Sequence, residues 1–237
     1  MGKLRLEIPF REGWETSARL TQKELRDLLN QPFSFLDKGA QCYVFQSRDG
    51  KYVIKLFRFD QPHFLSKQKV GPFEKLFSAC LLAYTEAPEE TGVVHLHLNR
   101  TMQELPILFA TSPTGQALQI PLDRYRFAIQ KKAEPFRKVL LRAENKEKLI
   151  DSFVSLLYSR IEKEIGNSDP TLHRNFGFLD GKALEIDFGN YFTHPSSKIG
   201  EMHRFTHRLR RWLKHHDPAS VAYLDKKVKE CESQFSS

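Results

Sequence analysis

The stretch "SDPTLHRNFGFLDGKALEIDFGNYF", residues 168–192, decides how the chain is read. It holds Asp169 and Asp187 with Asn175 between them. "LDGK" at 179–182 separates two short apolar runs, and Asp-Gly is a tight-hairpin signal. Asp187 ends the run "ALEID" and is followed by Phe188 and Gly189. An aspartate at a strand end, with a glycine freeing the next turn, can aim a carboxylate at a ligand. Magnesium takes one or two carboxylates together with phosphate oxygens and water. Asn175 could add an amide oxygen, and Asp169 could accept a proton from an attacking hydroxyl. The same residues also suit an ordinary surface hairpin, so the rest of the chain has to arbitrate.

Just upstream, "NKEKLIDSFVSLLYSRIEKEIGN" is the clearest helix. Leu149, Phe153, Leu156, Leu157, Ile161 and Ile165 line one face over about four turns. Gly166 is expected to cap its end. Far upstream, "FSFLDKGAQCYVFQSRDGKYVIKLFRF" reads as a three-stranded antiparallel meander, with Gly39 at the first bend and Asp-Gly in "RDGK" at the second. Lys55 lies in the apolar strand "YVIKLF", where a lysine is costly unless it is paired or contacts an anion. Before the meander, Thr21 and Glu24 form a capping-box pattern for a short helix that Pro32 stops. After it, "GPFEKLFSACLLAYTEAPEE" has helical spacing. "VVHLHLN", "LPILFATSPTGQALQI" and "YRFAIQK" then supply further strands. His95 and His97 share a face of the first of these, expected to be exposed and polar, with no third metal ligand in view.

The 237 residues are 40% apolar and 28% charged, a globular composition with ample material for a core. The net charge of +8 favours anionic partners. The three cysteines, Cys42, Cys80 and Cys231, are far apart, without metal or redox spacing, which fits a reducing cytoplasmic setting. Nothing at the N-terminus reads as a signal peptide, and no run approaches the ~20 apolar residues of a membrane helix.

Glycine bend, strand lysine, helix glutamate, long helix, Asp then Asn, then Asp-Phe-Gly: in this order the chain resembles the protein-kinase-like superfamily. "VIK" at 53–55 is similar to the family's V-A-I-K, and "DFG" at 187–189 to its D-F-G. The resemblance covers roughly 33–192. It implies an α+β, two-lobed fold with an antiparallel-sheet N-lobe and a short, mainly helical C-lobe, and a ligand cleft between lobes. The implied division is 1–32, an extension with a short helix; 33–133, the sheet lobe; and 134–237, the reduced helical lobe. The implied cofactors are ATP and magnesium. Lys55 would hold the α- and β-phosphates, Glu74 would pair with Lys55 (Glu86 being the alternative), and Gly39 would lie over the phosphates. The backbone of Gln130, Lys131, Lys132 and Ala133 would face the adenine. Asp187 and Asn175 would bind magnesium, and Asp169 would be the catalytic base.

The chain also departs from the family's pattern. One glycine stands where the family's loop has three, and "GNSD" replaces His-Arg-Asp. Five residues separate Asp169 from Asn175, against the family's four. Ala-Pro-Glu is absent and 48 residues follow Gly189, which implies a reduced or atypical member. The function implied is phosphoryl transfer to a hydroxyl of unknown bearer: protein, sugar, lipid or metabolite. A pseudokinase, binding or regulating without turnover, is the alternative. A third reading rests on "HRFTHRLRRWLKHH": Phe205, Leu209, Trp212 and Leu213 face inward, while Arg204, Arg208 and Arg211 could meet nucleic acid, a membrane surface or another anionic partner.

Overall fold

A computed structural model describes residues 9–58 and 71–235. The first eight residues, on which the reading of the N-terminus rests, lie outside that range. The chain divides into two compact units, one formed by the residues up to Thr85 with Val93–Lys132, the other by Glu86–Gly92 and the residues from Ala133 onward.

The first unit is built on a sheet. β1 (Phe33–Lys38), β2 (Cys42–Ser47) and β3 (Tyr52–Phe57) form the expected meander, β4 (Val93–His97), β5 (Ile107–Thr111), β6 (Ala117–Pro121) and β7 (Phe127–Lys131) complete it, and the order is β4-β7-β3-β2-β1-β5-β6. β3 pairs antiparallel with both β2 and β7, which places it inside the sheet. The β5–β6 hairpin joins the far edge, parallel to β1 through Phe33↔Ala110 and Ser34↔Thr111. Gly50 turns β2 into β3 with φ +71°, which glycine adopts without a Cβ penalty.

Helix α1 (Gln22–Leu29) starts at Thr21, whose hydroxyl oxygen accepts from the Glu24 amide while Glu24 accepts from the Thr21 amide: the full capping box. Its buried Leu25, Leu28 and Leu29 join Phe33, Phe45, Ile54, Leu56, Phe127 and Ile129 in one core. Each such side chain contributes roughly 1.5–3 kcal/mol on leaving water. Helix α2 (Gly71–Thr85) buries Phe77, whose ring meets Trp14 edge-on at 4.8 Å.

His95 and His97 are half-buried rather than exposed. A bulge between Val93 and His95 breaks the plain alternation, and both rings lie against Phe127, with centroids 5.6 and 5.0 Å away. Both Nε2 atoms are buried without a hydrogen-bond partner. Burial pushes both imidazoles down to about 4.

The second unit is mainly helical: α3 (Pro88–Thr91), α4 (Phe136–Arg142), α5 (Glu147–Glu162), the short α6 (Leu172–Asn175), α7 (Lys198–His216) and α8 (Ala219–Phe235). Phe153, Leu157 and Ile161 of α5 interlock with Phe205, Leu209 and Leu213 of α7 in its core. A small sheet packs on α5: β10 (Phe176–Leu179) pairs with β11 (Lys182–Glu185) on one side and β8 (Glu134–Pro135) on the other. The β10–β11 turn is the expected Asp-Gly hairpin, with φ +50° at Asp180 and +79° at Gly181. The Ala183 amide donates to Ser152 Oγ of α5 at 2.8 Å and fixes the hairpin on the helix.

Gly166 does not cap α5. The helix ends at Glu162, and Glu164 takes the positive φ, +56°. Gly166 instead sits within β9 (Ile165–Asn167), opposite Phe192 of β12 (Tyr191–Thr193), whose ring occupies the space a Cβ would need. Among the described residues no helix is long and apolar enough to cross a membrane.

Candidate active site

The quoted stretch folds into two loops held side by side in the second unit. β9 and β12 pair, so the chain leaving β9 and the chain entering β12 run together, and Ser168 donates to the Asn190 carbonyl at 3.1 Å. Asn175 ties the two loops. Its Nδ2 donates to the Asp169 carbonyl at 2.8 Å, and its own carbonyl accepts from the amides of Ile186 (2.6 Å) and Asp187 (3.3 Å). Its Oδ1 is buried and accepts from nothing. A buried amide oxygen without a donor costs free energy, and a cation is one partner that would satisfy it.

Asp187 follows β11, half-buried. Its Oδ1 accepts from the Gly189 amide at 3.3 Å, and its carbonyl from Asn167 Nδ2 at 3.3 Å. The donor set fits a magnesium ion: one carboxylate and one unsatisfied amide oxygen, with phosphate and water for the rest. Among the described residues no three His, Cys, Asp or Glu side chains converge as a cage that would hold a metal without such outside ligands.

Asp169 is more committed. Its Oδ1 accepts from the Thr171 amide at 3.0 Å and the Thr171 hydroxyl at 2.5 Å. Its own amide donates to Asn167 Oδ1 at 2.9 Å. Burial raises its pKa, but the hydrogen bonds from Thr171 and Asn175 outweigh that, so the carboxyl lies below its ordinary range.

Behind the loops lies a buried ionic network that sequence reading missed. Arg160 of α5, fully buried, donates to both carboxylate oxygens of Glu185 at 2.8 Å and to Glu201 of α7 at 2.9 Å. Tyr191 and Asn167 also donate to Glu185, at 2.8 and 2.7 Å. Arg204 donates to Glu201 at 2.7 Å and to the Asn167 carbonyl. Burial raises the Glu185 carboxyl's pKa, against the pull of Arg160 and of these hydrogen bonds. Asn167 links the network to the site, because it touches Glu185, Asp187 and the Asp169 amide at once. The clue lay in helix phase: Arg160 falls seven residues after Phe153, on the apolar face.

The other candidates belong mainly to the first unit. Lys55 is half-buried at the middle of β3, opposite Val44 and Ala128. Gly39 turns β1 into β2, its amide donating to the Cys42 carbonyl and its carbonyl accepting from Arg58, both at 3.0 Å. An added Cβ there would meet nothing nearer than 3.8 Å. Glu74, in the first turn of α2, pairs with Arg11 at 2.5 Å. Glu86, the alternative, follows the end of α2 and is exposed. Gln130 is buried in β7, Lys131 is exposed, and the Lys132 amide donates to the Lys51 carbonyl at 2.8 Å. Ala133 opens the second unit, half-buried.

No protein-family model matches the sequence, and no curated protein does. Solved structures do. WbdD, co-crystallised with a kinase inhibitor, matches 82% of this chain at a TM-score of 0.51 and 16% identity. The fold is protein-kinase-like. A further structure, described as the bifunctional kinase-methyltransferase WbdD, matches 80% of the chain at TM-score 0.44 and 16% identity. Vaccinia related kinase 3 matches 83% at TM-score 0.41 and 12% identity, over 70% of its own length. The chain spans less than half of the WbdD chains it matches, 45% and 43%. At these identities the kinase-like likeness is one of fold.

Proposed function

We propose that the protein is an ATP- and magnesium-dependent phosphotransferase acting on a hydroxyl. The observation that carries this reading is the unsatisfied, buried Asn175 Oδ1 in the loop pair that also carries Asp187. Asp187 and Asn175 would hold the metal, which when bound neutralises phosphate charge. Lys55 would bind the α- and β-phosphates, with Glu74 exchanging Arg11, its partner in this structure, for Lys55, and the turn at Gly39 would cover them. The backbone of Gln130 to Ala133 would meet the adenine. Asp169, ionised by its hydrogen bonds, would take the acceptor's proton. A cytoplasmic setting fits the three separated thiols.

A second reading, nucleotide binding without turnover, is favoured by one contact. Thr171 occupies Asp169 Oδ1 with both its amide and its hydroxyl, and these bonds hold the carboxyl below its ordinary range, which makes it a weaker base. Release of ADP from ATP with water as the acceptor separates the two. Under the first reading the wild type shows slow, magnesium-dependent turnover, abolished in Asp187→Ala and reduced roughly 100-fold or more in Asp169→Asn, as for loss of a general base. ATP binding without turnover, with water and with added phosphate-bearing hydroxyl acceptors alike, would favour the second.

A further inference from the structure

Beside the loop that carries Asp169 runs a groove lined by arginine and histidine. One part, a cavity of about 450 Å³, is lined by Arg137, Thr171, His173, Arg208, Arg211 and His216 among others. Arg208 and Arg211 also line a second hollow of about 550 Å³, together with His203, Arg204 and His207. Thr171 is the residue that holds Asp169 Oδ1, so the wall of the groove is one side chain from the carboxylate. His173 senses both, its charged form being disfavoured by burial, Arg137 and Arg174 and favoured by Asp169.

The groove gathers three arginines, Arg137, Arg208 and Arg211, on one concavity without counter-charges. Several other basic side chains of this unit are matched: Arg210 forks onto Asp225 at 2.8–3.1 Å, Arg204 meets Glu201, Arg142 meets Glu134, and Lys198 meets Glu162. No carboxylate among the described residues pairs with Arg137, Arg208 or Arg211. Three like charges facing one concavity repel, and an anion relieves that cost. A carboxylate is saturated by one guanidinium fork, whereas a phosphate monoester accepts from several. His216 adds a further group. Its Nδ1 donates to the Trp212 carbonyl at 2.9 Å, which leaves Nε2 free, and its ring stacks on Trp212 at 4.3 Å.

We propose that this groove is the acceptor site and that the acceptor carries a phosphate monoester next to the hydroxyl that reacts. As an acceptor site it rests on the phosphotransferase reading above. The arginines grip the existing phosphate and hold the hydroxyl toward Asp169. Asp169 takes the hydroxyl proton, the freed oxygen forms a bond to the γ-phosphorus of ATP, and the β–γ bridging bond breaks with its electron pair leaving on ADP. Single-stranded nucleic acid fits less well, since it needs open aromatic faces for its bases. Trp212 is the aromatic residue of the groove, and it is 8% exposed with one face taken by His216.

The test is calorimetric titration of the full chain with its nucleotide site filled by a non-hydrolysable ATP analogue and magnesium. The soluble probes are inorganic phosphate and glycerol phosphate, each set against glycerol. The lipid probe is phosphatidylcholine vesicles carrying phosphatidylinositol phosphate, set against phosphatidylcholine alone. A phosphate-bearing probe is expected to bind more tightly than its uncharged counterpart. Arg208→Ala/Arg211→Ala should weaken it about tenfold or more, the loss expected on removing charge-assisted hydrogen bonds. Arg210→Ala, on the same helix but paired with Asp225, should leave binding unchanged. Which arm binds identifies a soluble metabolite or a lipid headgroup. Arg208 and Arg211 are exposed, so the double variant is expected to fold, and its unchanged affinity for the ATP analogue confirms that. Equal binding of charged and uncharged probes, or no effect of the double variant, overturns the proposal. Tighter binding of an RNA oligomer through the same arginines overturns it in favour of nucleic acid. Phosphate binding without any ATP binding removes the phosphotransferase reading, and the acceptor role with it, while leaving an anion site.

Discussion

At Gly177 an added Cβ would stand 2.6 Å from the Glu134 carbonyl oxygen and 2.8 Å from the Ala133 Cβ. Both obstacles belong to the chain of β8 and the residue before it, which cannot swing aside. Gly177→Ala should therefore push β10 off β8, at about 1–3 kcal/mol, the usual cost of overpacking. Chemical denaturation measures it; a cost below about 0.5 kcal/mol, the range of neutral surface changes, would contradict the close contact. Gly166 is crowded by the ring of Phe192, a side chain that can move, so its alanine variant should be milder. At this scale the sequence suggested Asp187 and Asn175 as metal ligands but could not reveal the empty acceptor on Asn175. That vacancy depends on where Asp169, Ile186 and Asp187 spend their own hydrogen bonds. Gly166 was misread for a similar reason: a glycine after a helix suits a cap, and only the pairing of β9 with β12 shows the other use.

The elements were largely legible because their signals are local. The capping box at Thr21, the Asp-Gly turns and the apolar stripe of α5 each depend on neighbours a few residues away. Long-range partners were not, among them the parallel docking of β5 on β1 and the ties from Arg160 to Glu185 and Glu201. Removing Arg160 would strand the buried Glu185 without a counter-charge, while Glu201 keeps Arg204, so Arg160→Leu should cost about 3–5 kcal/mol. A loss under about 1 kcal/mol in denaturant unfolding, the level of a surface ion pair, would show that the network is slack. Strand β4 makes a second prediction. The folded pKa values of His95 and His97 lie near 4, below the unfolded value of 6.5, so the unfolded chain takes up protons first as pH falls. His97 is also pulled downward by His95 and Arg126 and upward by Asp123. Stability should decline from about pH 6.5 toward 4, by about 2 kcal/mol per histidine at about pH 5. His95→Leu/His97→Leu should flatten this part of the profile in thermal melts. An unchanged slope would mean that other groups carry the acid sensitivity.

For the molecule as a whole, the order of weak signals was more informative than any one of them. A lysine in an apolar strand or an Asp-Phe-Gly tripeptide is commonplace alone. In sequence, with a long helix between, they pointed to the kinase-like fold that the comparison with WbdD supports. What order could not supply was chemistry specific to this chain, such as Thr171 on Asp169 or the unpaired arginines beside it. The central claim is that this fold binds ATP through magnesium. Thermal melting of the full chain with ATP, with and without magnesium, tests it most directly. Magnesium-dependent stabilisation is expected, about 2.7 kcal/mol when ATP is at 100 times its Kd, and it should be lost in Lys55→Ala and in Asp187→Ala. No magnesium-dependent shift in the wild type, or the same shift in both variants, would contradict the account.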